Sequence, residues 1–311
     1  MLTQKKAAKN NGLGEHSMPR CALFIDRFRS PDYKRSMKSV VPKVLLVLTS
    51  ALAVIPSDAA VSSDNWKPGP GWKLVWADEF DGPAIDLNKW AYDVGSDGWG
   101  NKELQTYTSS PTNACIQNGE LVIKAAENKN KYTSARLKTQ GKHSWTYGKV
   151  AARIRLPRGQ GIWPAFWMLG DNVTTIGWPK CGEIDIMEMI GGGEHRDDTI
   201  HGTLHWDANN SHASRGSGPK ELPDPQFFYQ DYHVFEVEWS ATEVIWKRDG
   251  VEYFRASVDT KLWPAMGAFH RPFFIILNLA VGGNWPGSPD RTTVFPQSMY
   301  VDWVRVYKGS N

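Results

Sequence analysis

From Trp72 to Tyr307 apolar and polar residues alternate in short runs at a period of two, the mark of half-buried strands. Residues 121–125, 149–156, 234–239 and 301–307 show it most clearly, and turn signals such as Asn118-Gly119, Asp249-Gly250 and Gly282-Gly283-Asn284 separate the runs. Asp249-Gly250, set between the alternating stretches 242–247 and 251–254, predicts a tight hairpin. No long stretch has helical periodicity. Many short strands with regular turns predict an all-β chain folded as a two-sheet antiparallel sandwich. One run departs from strict alternation: Glu183-Ile184-Asp185-Ile186-Met187-Glu188. Glu183 and Asp185 share a strand face, but strict alternation would turn Glu188 to the other side. One extra residue at Ile186-Met187, a β-bulge, would bring Glu188 back beside the first two acids.

Residues before Trp66 are a different material. Residues 37–59 read as a secretory signal peptide: Lys38 and Lys43, an apolar run from Val44 to Ile55, then small residues in Ser57-Asp58-Ala59. That run is too short for a membrane-spanning helix. Residues 1–36 are polar, basic and unpatterned, an unstructured leader that sits awkwardly ahead of a signal. Met37 therefore reads as the true start, with a long positive region as the alternative. Residues 60–311 remain as one domain, expected outside the cell or in the periplasm, monomeric, and free of the membrane once the signal is cleaved.

The formal charge of +3 changes with this division. Residues 1–59 hold 10 Lys plus Arg and 4 Asp plus Glu, which leaves 26 of the 36 basic and 29 of the 33 acidic residues, a net of −3. Nucleic acid and anionic glycans are poor partners for such a surface, and a neutral polymer fits better. Beyond the leader's Cys21, only Cys115 and Cys181 remain. Export would permit a disulfide, while their apolar, strand-like settings suit two buried thiols.

Like charges crowded on one sheet face repel, so structure alone gives no reason for the acidic stripe. A solvated acidic face is the plain alternative, and three oxygens could hold a hard cation, although a straight row converges poorly on one ion. Hydrolysis of a glycosidic bond does need such a set: one carboxylate attacks and one protonated carboxyl serves the leaving oxygen. Crowding pushes the proton affinities of neighbouring acids apart.

Here the residues carry a resemblance. Gly182-Glu183-Ile184-Asp185-Ile186-Met187-Glu188 resembles the signature of glycoside hydrolase family 16 in its bulged form. The stretches 162–169, 200–206 and 278–287 resemble the family's laminarinase (endo-1,3-β-glucanase) branch, and the similarity runs from Trp72 to Tyr307. It implies a β-jelly roll whose concave face carries a substrate cleft. It also implies a retaining endo-β-glucanase acting on laminarin-like β-1,3-glucan with no catalytic cofactor: Glu183 as nucleophile, Glu188 as acid and base, and Asp185 supporting Glu183. Retention wants the carboxyls about 5–5.5 Å apart, whereas Glu183 and Glu188 are ~13 Å apart at the backbone when the bulge residue is discounted. The tips must lean together.

Fifteen tryptophans suit a sugar-binding chain, because pyranose C–H faces pack on rigid indole at small entropic cost. Trp163, Ala165 and Trp167 fall on one strand face. Trp99, Trp178, Trp206 and Trp285 sit in loop-like contexts as candidate cleft walls, and Trp66, Trp90, Trp239 and Trp246 go to core or surface. By resemblance, Asn101, Arg136 and His205 line sugar subsites. The family pattern also implies a structural Ca²⁺ held by Glu79, the Gly119 carbonyl and Asp302, although nothing local demands an ion. The rival readings are a non-catalytic β-glucan-binding module, an enzyme for mixed-linkage 1,3-1,4-β-glucan or another family 16 polysaccharide, and a transglycosylase. The insert from Asp207 to Tyr229 has no assignment from sequence.

Overall fold

A computed structural model describes residues 65–193 and 196–310. The leader and signal assignments lie outside those residues. Among the described residues the strands run β1 (Trp72–Asp78), β2 (Ala91–Asp93), β3 (Gln105–Tyr107), β4 (Ala114–Gln117), β5 (Glu120–Asn128) and β6 (Lys131–Ser134). They continue with β7 (Arg136–Lys138), β8 (Gly148–Arg155), β9 (Ile162–Gly170), β10 (Glu183–Glu188), β11 (Thr199–Ala208) and β12 (Ser211–Gly216). The last are β13 (Lys220–Glu221), β14 (His233–Trp239), β15 (Glu243–Arg248), β16 (Val251–Ser257), β17 (Phe273–Val281) and β18 (Gln297–Gly309). Helical elements among the described residues include α1 (Val173–Ile176) and a 3-10 segment at Pro264–His270.

The strands form two sheets. The cleft sheet runs β12-β11-β10-β9-β17-β7-β2, with β13 pairing β11. The back sheet runs β16-β15-β14-β8-β18-β5-β6-β3, with β1 on β18 and β4 on β5. Every strand pair is antiparallel except β3 with β6, as expected of a jelly-roll sandwich. The predicted hairpin joins β15 to β16, with Arg248 opposite Val251. Asp249 and Gly250 both take positive φ, 53° and 80°, the geometry that two-residue hairpins prefer and that glycine adopts without steric cost.

The core lies between the sheets and comes from alternate residues of each strand. Val150, Ala152 and Ile154 of β8, Phe235, Val237 and Trp239 of β14, and Val304 and Val306 of β18 face inward from the back. Phe166 and Met168, Ile184, Leu204, and the odd-numbered residues of β17 from Phe273 to Val281 face them. Each large apolar side chain buried this way contributes about 1.5–3 kcal/mol. The partners of the core residues on β9, β10 and β17 necessarily point outward, into the cleft. Of the tryptophans assigned to core or surface, Trp66, Trp90, Trp239 and Trp246 are all buried. No disulfide joins Cys115 and Cys181, which are half-buried and buried respectively.

Candidate active site

The bulge is present where the alternation breaks. Asp185 lies opposite Trp167 of β9 and Thr203 of β11, while Glu188 lies opposite Ala165 and His201. Two residues on β10, Ile186 and Met187, thus oppose one on each neighbour. Both are fully buried, and all three acids consequently open into one cleft of about 640 Å³. Carboxylate oxygens of Glu183 and Asp185 and a ring nitrogen of His205 lie within 4.8 Å of one another.

Each glutamate is held by an indole. Trp178 Nε1 donates to Glu183 Oε2 at 3.0 Å, and Trp163 Nε1 donates to Glu188 Oε1 at 3.0 Å. His205 Nε2 stands 3.1 Å from Asp185 Oδ2 and 3.9 Å from Glu183 Oε1. The Asp185 contact is of ion-pair length but lacks hydrogen-bond alignment. Burial pushes all three acids up. Glu183 rises to about 8, through burial and then the Asp185 charge, and is pulled back by His205, the Trp178 N–H and Arg136. Glu188 is pushed well up by burial and by both other acids, with the Trp163 N–H and His205 opposing. Asp185 also rises to about 8 through burial. Three crowded acids do not all ionise together, so the set retains protons at neutral pH. Glu183, with the widest set of stabilising partners, is suited to ionise first. Glu188 is suited to stay protonated.

The cleft collects residues that the sequence and the resemblance single out for substrate. Asn101, Arg136, Trp163, Trp167, Trp178, His205 and Trp285 all line it. Arg136 lies between the rings of Trp99 and Trp167, 4.9 and 4.8 Å from their centroids, and its Nε is 3.0 Å from Asp93 Oδ2. Trp285 meets Trp163 edge-on at 5.6 Å. Trp206 is a correction. It falls on β11 between cleft-facing His205 and Asp207, so the two-residue period turns its ring toward the core.

Several cleft residues have no place in the sequence reading. Glu103 accepts from Gln105 at 2.6 Å and Asn101 at 3.2 Å, and burial raises its pKa against those bonds. Alternation through Asn101, Glu103 and Gln105 could have exposed it. Asn278 and Ala280 line the floor, and the signal was there, a lone amide inside the apolar run of β17. Asn278 accepts from Trp167 Nε1 at 2.7 Å. His212 had no such signal. It comes from β12, inside the unplaced insert, and its Nε2 is 2.8 Å from His205 Nδ1.

The calcium set does not fit as the resemblance implied. The register does bring the three segments near one another: Asp78 pairs Val304, and Leu121 pairs Val301. However, Glu79 makes two bonds to Arg305, at 2.8 and 2.7 Å, and Asp302 Oδ2 is bonded to Arg153 at 2.9 Å. Guanidinium groups already neutralise both carboxylates, so a cation would have to displace them.

A two-sheet sandwich with glutamates grouped in an aromatic-walled cleft has the architecture of a glycoside hydrolase. Residues 101–305 match the sequence model of glycosyl hydrolases family 16, and the chain belongs to that family. A β-glucanase of Rhodothermus marinus is 42% identical across 83% of this chain and 92% of its own. The clotting factor G α subunit of Tachypleus tridentatus is 40% identical across 78% of this chain, which spans 35% of that longer protein. The laminarinase catalytic domain of Thermotoga petrophila superposes with a TM-score of 0.71 at 46% identity, covering 77% of this chain and 99% of that one.

Proposed function

We propose that the enzyme hydrolyses β-1,3-linked glucan of the laminarin type within the chain, by double displacement with retention of configuration. Glu183 attacks the anomeric carbon while Glu188 gives its proton to the departing sugar oxygen, leaving a glycosyl ester on Glu183. Glu188, now a carboxylate, takes a proton from water, and that water displaces Glu183. Asp185 and His205 hold the Glu183 carboxylate in place. The observation that carries this reading is the bulge, which gathers the two glutamates on one face of β10 beneath an aromatic-walled cleft. Relatives described as β-glucanase and laminarinase support the choice of polymer. Trp163, Trp167 and Trp285 provide flat faces for sugar rings, and Asn101, Arg136 and His205 provide polar contacts to hydroxyls. The signal-like segment 37–59 supports export, and we propose a secreted monomer acting on extracellular polysaccharide.

Reducing-sugar release from laminarin tests the reading. Glu183→Gln and Glu188→Gln should each lower turnover by at least about 10²–10⁴-fold, while glucan binding and the circular dichroism spectrum stay intact. Parent-level turnover in either variant would refute the catalytic roles of these two glutamates.

A further inference from the structure

The bulge leaves two backbone carbonyls pointing into the core, and side chains of the opposite sheet satisfy both. Trp246 Nε1 of β15 donates to the Asp185 carbonyl at 2.7 Å, and the Tyr253 hydroxyl of β16 donates to the Ile186 carbonyl at 3.2 Å. Trp246 is fully buried, and burial pushes the Tyr253 phenol up, so it stays a donor across the working range. Both belong to the hairpin at the edge of the back sheet. On β11, Gly202 faces the bulge between Thr203 and His201. A Cβ at Gly202 would stand 2.6 Å from Trp246 Cδ1, so the indole reaches the carbonyl only because position 202 carries no side chain.

We infer that Trp246 and Tyr253 are positioning residues that hold the bulge open and thereby set Glu188 against Glu183, with Gly202 providing the space. The physical reason is that the β-ladder does not hold this point by itself. Register slips past both β9 and β11 between Asp185 and Glu188. A one-residue change of register exchanges the faces of every following side chain, which would send Glu188 inward and Met187 into the cleft. The two cross-core hydrogen bonds satisfy the carbonyls only in the bulged form, and a buried carbonyl without a partner is unfavourable. Trp239 is the internal contrast: an equally buried tryptophan of the back sheet whose Nε1 bonds the Phe269 carbonyl at 3.0 Å, not β10.

The inference rests on Glu188 being the proton donor, and it is tested with Trp246→Phe, Tyr253→Phe and Trp239→Phe on two substrates. One is laminarin, whose sugar leaving group needs a proton. The other is 2,4-dinitrophenyl β-laminaribioside, whose leaving group departs without one, so its kcat/KM reports the first displacement free of acid assistance. Trp246→Phe should lower kcat/KM on laminarin by about 10²-fold, the scale of a misplaced catalytic group, and leave the aryl glycoside nearly unchanged. Tyr253→Phe should show the same split at smaller size and keeps the test alive if Trp246→Phe fails to fold. Trp239→Phe should show no split. Equal losses on both substrates, no loss in either bulge variant, or the same split in Trp239→Phe would overturn the inference. Glu188→Gln separates this from failure of the parent reading. If that variant itself shows no leaving-group dependence, the role of Glu188 is wrong and not merely the role of its supports.

Discussion

Buried carboxylates lie against both outer faces of this sandwich, and what faces them differs. On the cleft sheet, Glu183, Asp185 and Glu188 crowd one another, with indole N–H groups and a histidine as their nearest partners. On the back sheet, Glu236 and Glu238 of β14 meet lysines instead. Lys149 Nζ is 3.0 Å from Glu238 and 3.5 Å from Glu236, and Lys247 is 2.6 Å from Glu238. Lys149 also donates to the Pro68 carbonyl at 2.7 Å and sits against the rings of Trp66 and Trp72. It therefore fastens the segment before β1 across that face. Burial acts on Glu238 as it does on the cleft acids, yet the bonds from Lys247 and Lys149 outweigh it and hold Glu238 below its ordinary value. Glu236 is still raised by burial, with the lysines pulling it back. Paired carboxylates fasten structure. Carboxylates set against one another keep the protons that a hydrolase needs.

The contrast between the two faces breaks most visibly if the paired side is unpaired. Lys149→Met should destabilise the fold by about 3–5 kcal/mol, because it leaves buried Glu236 without its nearest cation, while half-buried Glu238 keeps only Lys247. Denaturant unfolding measures this, and turnover per folded molecule should be unchanged. A loss under 1 kcal/mol, on the order of a surface ion pair, would mean that the lysine does not hold this face.

The cleft side should respond in the opposite sense. The folded-state value of Glu183, about 8, lies above the about 4.3 of an unfolded glutamate. Between those values the folded protein binds a proton that the unfolded chain releases, so stability falls as pH rises through the window. Glu183→Gln removes that slope and also relieves Glu188, which the Glu183 charge pushes up. Its Tm should exceed the parent's by several degrees at pH 8, and the gap should close toward pH 4. An equal gap at both values would show that crowding is not the cause.

The smallest effect is expected from chelation. With Glu79 and Asp302 already neutralised by Arg305 and Arg153, EDTA should leave Tm unchanged and purified protein should hold no stoichiometric calcium. A drop of several degrees would mean that an ion displaces the arginines and that the sequence expectation was right.

Much of this site was legible in the chain because it rests on local periods. The break in alternation at Ile186-Met187 located the bulge, and the two-residue spacing of Trp163, Ala165 and Trp167 placed them on the cleft face. The same rule, applied to β11, would have turned Trp206 inward once His205 was assigned outward; its loop-like neighbours masked the strand. Glu103 and Asn278 left faint signs of the same kind. His212 and Lys149 left none, since each takes its meaning from groups far away in sequence or on another strand. The partners of Glu79 and Asp302 were hidden for that reason too: the arginines that meet them come from strands whose register the sequence does not state.

The chain by itself determined an all-β sandwich, the hairpin at Asp249-Gly250, the acidic stripe and the irregularity that keeps its three acids together. Those follow from side-chain direction along a strand, which depends only on neighbouring residues. Only the tertiary structure decided which indole holds which glutamate, which carboxylates find a lysine or an arginine, and which side chains of the far sheet close the bulge's carbonyls. These depend on strand order and on contact across the core, and the same alternating pattern is compatible with many pairings until the sheets have packed.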